Sequence, residues 1–399
     1  MNSFRKYFIF SALFFTSLII NAQNKFDSVE VSVLTVAPGD EIYVAFGHSA
    51  LRIKDTSGKF DRTYDYGAFD MGAPNFIFKF IKGELDYMML VHSYNSFYRY
   101  NKKDSRWIRE QVLNLSNSQK EKIFKFLQNN AKPENRVYRY DFLLDNCATR
   151  VKDVLKKTIK DSLILGKCNI ENPTFRSLTI PYLQHNSWGR FAVNIGYGTN
   201  TDKIVTDEQA TFIPQVLETV LANSKIIIDG QKQNLVKETK ILYKPNSPKV
   251  FNDVFLTSDI VIVTILILII LLSVYEIWKK THFFLFDAML FFIFGLLGTV
   301  IVILWILWAT TGQSTLINSL EILWAIPTHI VISFFLIKNK RKNIIKYYFL
   351  TTSIITGLFI LFHGFLPQVF DVDVILLAIV LYLRSMSIFR YVSINSKLV

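Results

Sequence analysis

The run Tyr138 to Leu155, YRYDFLLDNCATRVKDVL, sets one cysteine, Cys147, between an aromatic-rich extended stretch and an amphipathic helix. Tyr138, Tyr140 and Phe142 alternate with Arg139 and Asp141, the period of a strand, whereas Val151, Val154 and Leu155 recur at helical spacing. Cys147 therefore falls near a helix N-terminus. Free backbone N–H groups and the positive end of the helix dipole favour thiolate over thiol there. Asp145 and Asn146 are both candidate caps for that helix, because their short polar side chains accept from the first amides. The pattern makes Cys147 a candidate nucleophile.

A thiol nucleophile needs a base, and the upstream run EIYVAFGHSALRI supplies His48 directly after Gly47 in a strand-like context. Imidazole is the side chain best suited to exchange a proton near neutral pH, and Cys–His pairs recur in acyl transfer. The histidine precedes the cysteine, the reverse of the usual papain order, but such sites are defined by geometry and role rather than chain order. A third group is needed to orient the imidazole. Asp65 in RTYDYGAF is the choice, because a hairpin from the His48 strand brings it alongside, with Tyr64 and Tyr66 on the opposite face. His92 in LVHSYNSF is the other option, and Asp65 alternatively reads as a turn or surface carboxylate.

The chain has only one other cysteine, Cys168. Two cysteines in an exported protein ordinarily suggest a disulfide. The sequence around His48 and Cys147 argues for a free Cys147, since a bridge would consume the nucleophile and leave the histidine without a purpose. A bridged, non-enzymatic membrane sensor or scaffold is the alternative.

Composition divides the 399 residues into a soluble and a membrane part: 51% are hydrophobic and mean hydropathy is +0.27, yet 19% are charged. Residues 1–23 carry Arg5 and Lys6, an apolar run from Phe8 to Ile20, and Ala22, the layout of a secretory signal peptide. Residues 24–258 are mixed, without repeats, and large enough for one globular domain. Val29–Val36, Glu41–Ile53 and Thr63–Phe69 read as strands, and Phe76–Ile81 as a short helix or an aromatic strand. Asn117–Asn130 reads as a surface helix, Phe212–Leu221 as a helix with Pro214 in its first turn, and Lys237–Lys249 as a linker. The segment around Trp188, Gly196, Tyr197 and Gly198 reads as compact and loop-rich. Trp188 and Phe191 either contact an acyl chain or the bilayer or simply pack, and Arg176 with Asp202 either orients a polar head group or forms a surface pair.

Residues 259–399 change character. Ile260–Ile277, Phe283–Ala309, Ile322–Ile337, Tyr347–Leu366 and Val374–Tyr391 are apolar enough to span a bilayer, which takes about 20 residues. Lys279 and Lys280 follow the first segment, and Lys338, Lys340, Arg341, Lys342 and Lys346 follow the third. The positive-inside rule puts these loops and the C-terminus in the cytoplasm and the preceding domain outside. The net charge of +13 is thereby assigned to membrane-flanking loops rather than to a nucleic-acid partner. Asp287, Glu321, His329, His363 and Arg384 are read as polar groups inside this bundle. Glu321 and His363 belong near the outer boundary, Arg384 is expected to snorkel to the cytoplasmic head groups, and His329, after Pro327, either bonds between helices or contacts substrate. No spacing suggests a metal site and no motif suggests a cofactor.

FGHSALRI, YDYGAFD, FKFIKGELDYMM and YRYDFLLDNCATR, followed by the multi-helix tail, resemble the Lnb-type lipoprotein N-acyltransferases over nearly the whole chain. The resemblance implies an α+β, permuted NlpC/papain-like domain on the periplasmic side of a bacterial inner membrane, followed by an all-α bundle of about five transmembrane helices. By motif, His48 and Cys147 match the catalytic pair, and Asp65 matches a family-like strand. A phospholipid acyl donor and the N-terminal amine of a diacylglyceryl lipoprotein are the expected substrates. Tyr138, Tyr140 and Asn146 are candidates to support the oxyanion, with backbone amides at the start of the Cys147 helix. A hydrolase of cell-wall peptides or ester lipids is the competing enzyme class, separated by whether the acceptor is water or an amine.

Overall fold

The computed structural model describes residues 26–395, except 42, 71, 73, 76, 77, 80, 81, 248–253, 312–315 and 339–341. The expected signal peptide, residues 1–23, lies outside the described residues, as do Phe76, Ile77, Phe80 and Ile81 of the short run read as helix or strand. In chain order the sheet-rich part contains β1 (Val29–Val36), β2 (His48–Asp55), β3 (Asp61–Ala68), β4 (Asp86–Ser93), α1 (Tyr94–Lys103), β5 (Ile108–Leu113), α2 (Asn117–Asn130), β6 (Val137–Arg139) and α3 (Cys147–Ile159). There follow β7 (Leu163–Ile164), α4 (Phe175–Thr179), α5 (Ser187–Gly196), α6 (Pro214–Asn223), β8 (Lys225–Ile228), β9 (Gln231–Asn234) and β10 (Val236–Tyr243).

Seven strands form one sheet in the order β10-β5-β1-β2-β3-β4-β6, every neighbour antiparallel. Strand alternation gives it two apolar faces. Val31, Val33, Leu51, Ile53, Tyr64, Tyr66 and Met89 pack against Ile123 and Leu127 of α2 and Val151, Val154 and Leu155 of α3. On the other face Leu34, Val36 and Ala50 pack with Phe97 of α1. Helix α2 takes the expected bounds, with Ser116 and Gln119 forming a reciprocal cap.

Three local expectations change. The strand expected from Glu41 begins only at His48, because a turn through 43–46 ends at Gly47, whose φ of +82° is open to glycine. The linker expected at Lys237–Lys249 contains strand β10, whose polar residues suit an edge position beside β5. The segment read as loop-rich contains the helix α5, capped by Asn186, whose side chain accepts from the Gly189 amide.

The C-terminal region is helical: α7 (Ser258–Lys279), α8 (Phe284–Thr311), α9 (His329–Lys338), α10 (Lys342–Phe362) and α11 (Val372–Asn395). Among the described residues four helices are long and apolar enough to cross a membrane, and α9 is shorter. The third expected span, Ile322–Ile337, divides into a 3₁₀ turn at Leu320–Leu323 and α9. Pro327 explains the break, since it lacks an N–H and disfavours helix in the residue before it. The irregular stretch lies against α8 at Gly298, where a Cβ would sit 1.8 Å from the Ala325 carbonyl oxygen. Arg384 does not snorkel. It is fully buried and bonds both carboxylate oxygens of Asp287 (2.7 and 2.9 Å) and of Glu276 (3.0 and 2.9 Å), with His282 Nε2 2.8 Å from Asp287. Glu276, His282 and Asp287 bring metal-type donor atoms within 4.8 Å of one another, but the guanidinium already serves as their cation.

The two regions meet along α5 and the turn after it. Arg190 pairs with Asp259 at 2.7 Å and Asp371 at 3.2 Å, Asn194 donates to Asp371 at 2.7 Å, and Ser258 bonds Ser187 and, at 2.7 Å, Asp373. Gly198 fits because a Cβ there would lie 1.9 Å from the carbonyl oxygen of Ile317, in the segment between α8 and α9.

Candidate active site

The described part of the site sits where β2 starts, β3 ends and α3 starts. In the β2–β3 hairpin Ala50 opposes Asp65, so His48, two residues earlier on the same face of β2, reaches the carboxylate. His48 Nε2 is 2.6 Å from Asp65 Oδ1. His92, on the next strand, lies 3.8 Å from the other oxygen of Asp65. Asp65 is thus the direct partner of His48, and His92 stands behind it.

Cys147 is the first residue of α3, and its side chain interacts with His48 and with the backbone amide of Ser49. With Nε2 engaged by Asp65, Nδ1 is the ring nitrogen left for the sulfur. Gly67 borders this meeting. It lies at a register shift between Tyr66 and Ala68 with φ of +115°, and a Cβ there would lie 3.7 Å from His48 Cε1 and 3.8 Å from Cys147 Cβ. A longer side chain would crowd the space between imidazole and thiol. Neither Gly67 nor the Ser49 amide was singled out from sequence, although a glycine inside a strand pattern is a signal for a bulge.

Electrostatics sharpen the pair. Burial opposes ionisation of both groups, yet the Asp65 carboxylate and the Cys147 sulfur, by charge and hydrogen bond, hold the His48 imidazole above its ordinary value. Cys147 moves the other way: burial raises it, but the charge and hydrogen bond of His48 and the Ser49 amide bring it below the usual thiol value. The pair favours thiolate and imidazolium. Such a thiolate attacks a carbonyl, and the imidazolium protonates the leaving group.

Asn146 is the helix cap. Its side-chain oxygen accepts from the Ala148 and Thr149 amides at 2.9 and 3.0 Å, while its amide donates to the Phe142 and Phe212 carbonyls, both at 2.8 Å. It therefore fixes Cys147 and has no donor left for an oxyanion. The same cap occupies the Ala148 and Thr149 amides. Tyr138 is buried with its ring under Arg150 (4.1 Å), and its hydroxyl has no hydrogen-bond partner among the described residues. Burial holds that hydroxyl protonated, and it lies within electrostatic reach of Cys147. Tyr140 stacks on Tyr87 at 4.0 Å, and burial likewise raises its hydroxyl.

The remaining candidates sit elsewhere. Arg176 is buried in a satisfied network, bonded to Asp202 (2.8 Å), Asn194 Oδ1 (2.8 Å) and the Tyr197 carbonyl (2.9 Å), so it is not free for a head group. Trp188 donates to the Leu256 carbonyl at 2.9 Å, just before α7, and remains 42% exposed beside the membrane helices. His329 is buried within the bundle with both nitrogens occupied, by the Tyr348 hydroxyl (2.7 Å) and the Trp324 carbonyl (3.0 Å), which makes it a helix-to-helix connector rather than a substrate contact. Cys168 does not bridge to Cys147: both thiols are free, and Cys168 is buried in a different apolar cluster, beside Asp207.

Residues 17–184 match the Lnb N-terminal periplasmic domain, and residues 251–395 match the Lnb transmembrane domain. The chain belongs to the Lnb family. It is a membrane protein with a periplasmic domain, and the His48–Cys147 site lies inside the residues matched to that domain. No curated protein and no solved structure matches the chain.

Proposed function

We propose that this Lnb-family protein is an acyltransferase that moves a phospholipid acyl chain, through a thioester on Cys147, to the N-terminal amine of a bacterial lipoprotein. The observation that carries the reading is the Asp65–His48–Cys147 arrangement, in a domain joined by ion pairs to membrane helices. The Cys147 thiolate attacks the ester carbonyl, the tetrahedral intermediate collapses, and His48 gives its proton to the departing lysophospholipid oxygen. In the second half-reaction the lipoprotein amine attacks the thioester, His48 accepts a proton from the amine, and the amide forms as the thiolate leaves.

Asp65 holds the imidazole and stabilises its charged form. The buried hydroxyl of Tyr138, which has no partner among the described residues, is our choice of oxyanion donor. The papain-like, permuted fold and a fifth transmembrane span formed around α9 belong to the same reading. So do an N-terminal signal peptide, an inner-membrane location and a cytoplasmic C-terminus. The bundle raises the local concentration of both lipid substrates at the site.

The test is mass spectrometry of a lipoprotein's N-terminal lipopeptide from cells that depend on this protein. The N-linked acyl chain is expected to disappear with Cys147→Ala and persist with Cys168→Ala. Unchanged N-acylation in every variant overturns the transferase reading in favour of the hydrolase or scaffold.

A further inference from the structure

An aromatic row with no role in the proton chemistry begins beside the reacting pair. Phe46 lies two residues before His48, and Phe142 lies in the tight turn that leads to the cap of Cys147. Their ring centroids are 4.6 Å apart, and Tyr182 follows 6.0 Å from Phe46. All three are only half-buried, although they pack against a fully buried cluster that includes Phe212 and Phe175. Val193 of α5 and Leu316 pack on the same cluster and are also half-buried.

Leu316 gives the row its direction. It belongs to the segment that leaves transmembrane helix α8, and that segment is seated on the sheet domain through Gly198 and a 3.2 Å bond from the Thr199 amide to the Asn318 carbonyl. Half-buried residues of one cluster therefore reach from a segment of the bundle to the turns that precede His48 and Cys147. The half-buried rim of that cluster leaves an apolar surface open between those two places. An apolar chain drawn from the bilayer to a thiol needs such a surface, because each methylene left in water opposes its approach.

We infer that Phe46, Phe142 and Tyr182, with Leu316 at the membrane end, form the wall along which the donor's acyl chain lies, and that this wall sets chain-length preference. The inference rests on the acyltransferase reading. It makes these residues specificity determinants: they contact the chain remote from the breaking bond and distinguish long from short donors.

The experiment uses the full-length protein in detergent and follows the mass of Cys147-linked acyl adduct formed from phospholipids with sixteen-carbon chains and from their four-carbon counterparts. Phe46→Leu and Tyr182→Leu are expected to lower the long-to-short rate ratio by roughly tenfold, the scale of lost methylene contacts in an apolar pocket. Leu316→Trp, which fills the membrane end, is expected to lower the same ratio. A ratio unchanged in all three variants, with adduct still formed, overturns the wall and leaves the acyltransferase reading standing. If the unaltered protein forms no adduct with either donor, the acyltransferase reading falls and this inference falls with it. Reading a ratio keeps the test sound where a variant is partly destabilised, since loss of folded protein lowers both rates alike.

Discussion

Replacing Asp65 by Asn keeps the size of the side chain but removes the charge that faces His48. The bond concerned is 2.6 Å long, and both side chains are only 20% exposed, so water screens it weakly. A hydrogen bond between charged groups of this kind contributes roughly 1.5–3 kcal/mol. At about 1.36 kcal/mol per pKa unit, the imidazole should fall by one to two units. The direction follows from the ionic states. Transfer needs a thiolate to attack and an imidazolium to protonate the leaving oxygen, so activity rises as pH passes the lowered value of Cys147 and falls as pH passes the raised value of His48. Asp65→Asn therefore moves the alkaline limb to lower pH by about one to two units and slows transfer on that limb roughly ten- to hundredfold. The assay is the pH profile of adduct formation on Cys147 in the full-length protein. Thiol titration is the poorer readout, because Asp65 also raises Cys147 directly, which opposes the loss of its imidazolium partner. An alkaline limb that stays in place refutes the assignment of Asp65 as the group that charges His48.

Other outcomes follow from the same geometry. In a Cys168→Ala background, His48→Ala returns the buried Cys147 toward or above the ordinary thiol value, so alkylation by iodoacetamide at pH 7 should slow at least tenfold; an unchanged rate means the thiolate does not depend on His48. Asn146→Ala removes the cap of α3 and both bonds to the Phe142 and Phe212 carbonyls, and should cost about 2–4 kcal/mol, seen as a lower melting temperature. Arg176→Ala leaves Asp202 buried without its cation and should destabilise by about 3–5 kcal/mol, whereas a head-group role would weaken substrate use and leave melting unchanged.

How far the sequence speaks for this site depends on the reach of each signal. The helix start at Cys147 and the alternation of Tyr64, Asp65 and Tyr66 are local, and both appear in the structure: Asn146 caps α3, and the tyrosines are buried in the core opposite Asp65. The meeting of His48 with Cys147 is a contact across 98 intervening residues, suggested by chemistry and by family likeness rather than by periodicity. Gly67 escaped notice because its importance comes from two side chains distant in sequence. Strand β10 escaped notice because an edge strand with a solvated face has the composition of a linker. Arg176 and His329, for which pairing and substrate contact were both open, show the converse, and Arg384, expected at the head groups, is held inside. A charged or polar residue in an apolar setting invites a functional reading, but sequence does not show the partners, and here Asp202, Tyr348 and the Glu276–Asp287 pair occupy those groups.

The seam between the sheet domain and the bundle is where the proposed chemistry meets its substrates, and Gly198 allows that claim to be isolated. A Cβ at this position would lie 1.9 Å from the Ile317 carbonyl oxygen, a contact that rotamer changes do not relieve because both partners are backbone. Gly198→Ala must therefore push the α8–α9 segment away from the turn that follows α5, stretching the Thr199–Asn318 bond. The His48–Asp65 bond is built within the β2–β3 hairpin and Cys147 is fixed by its own cap, so neither depends on that seam. Adduct formation from a soluble short-chain thioester should thus be retained in Gly198→Ala, while transfer from phospholipid in vesicles should fall about tenfold or more, the loss that small misplacements of a bound substrate bring. Equal loss with both donors would mean that the seam supports the folding of the site, and no loss with either would mean that the membrane helices do not present the donor. A selective loss from vesicles ties the location of the thiol to the function of the bundle.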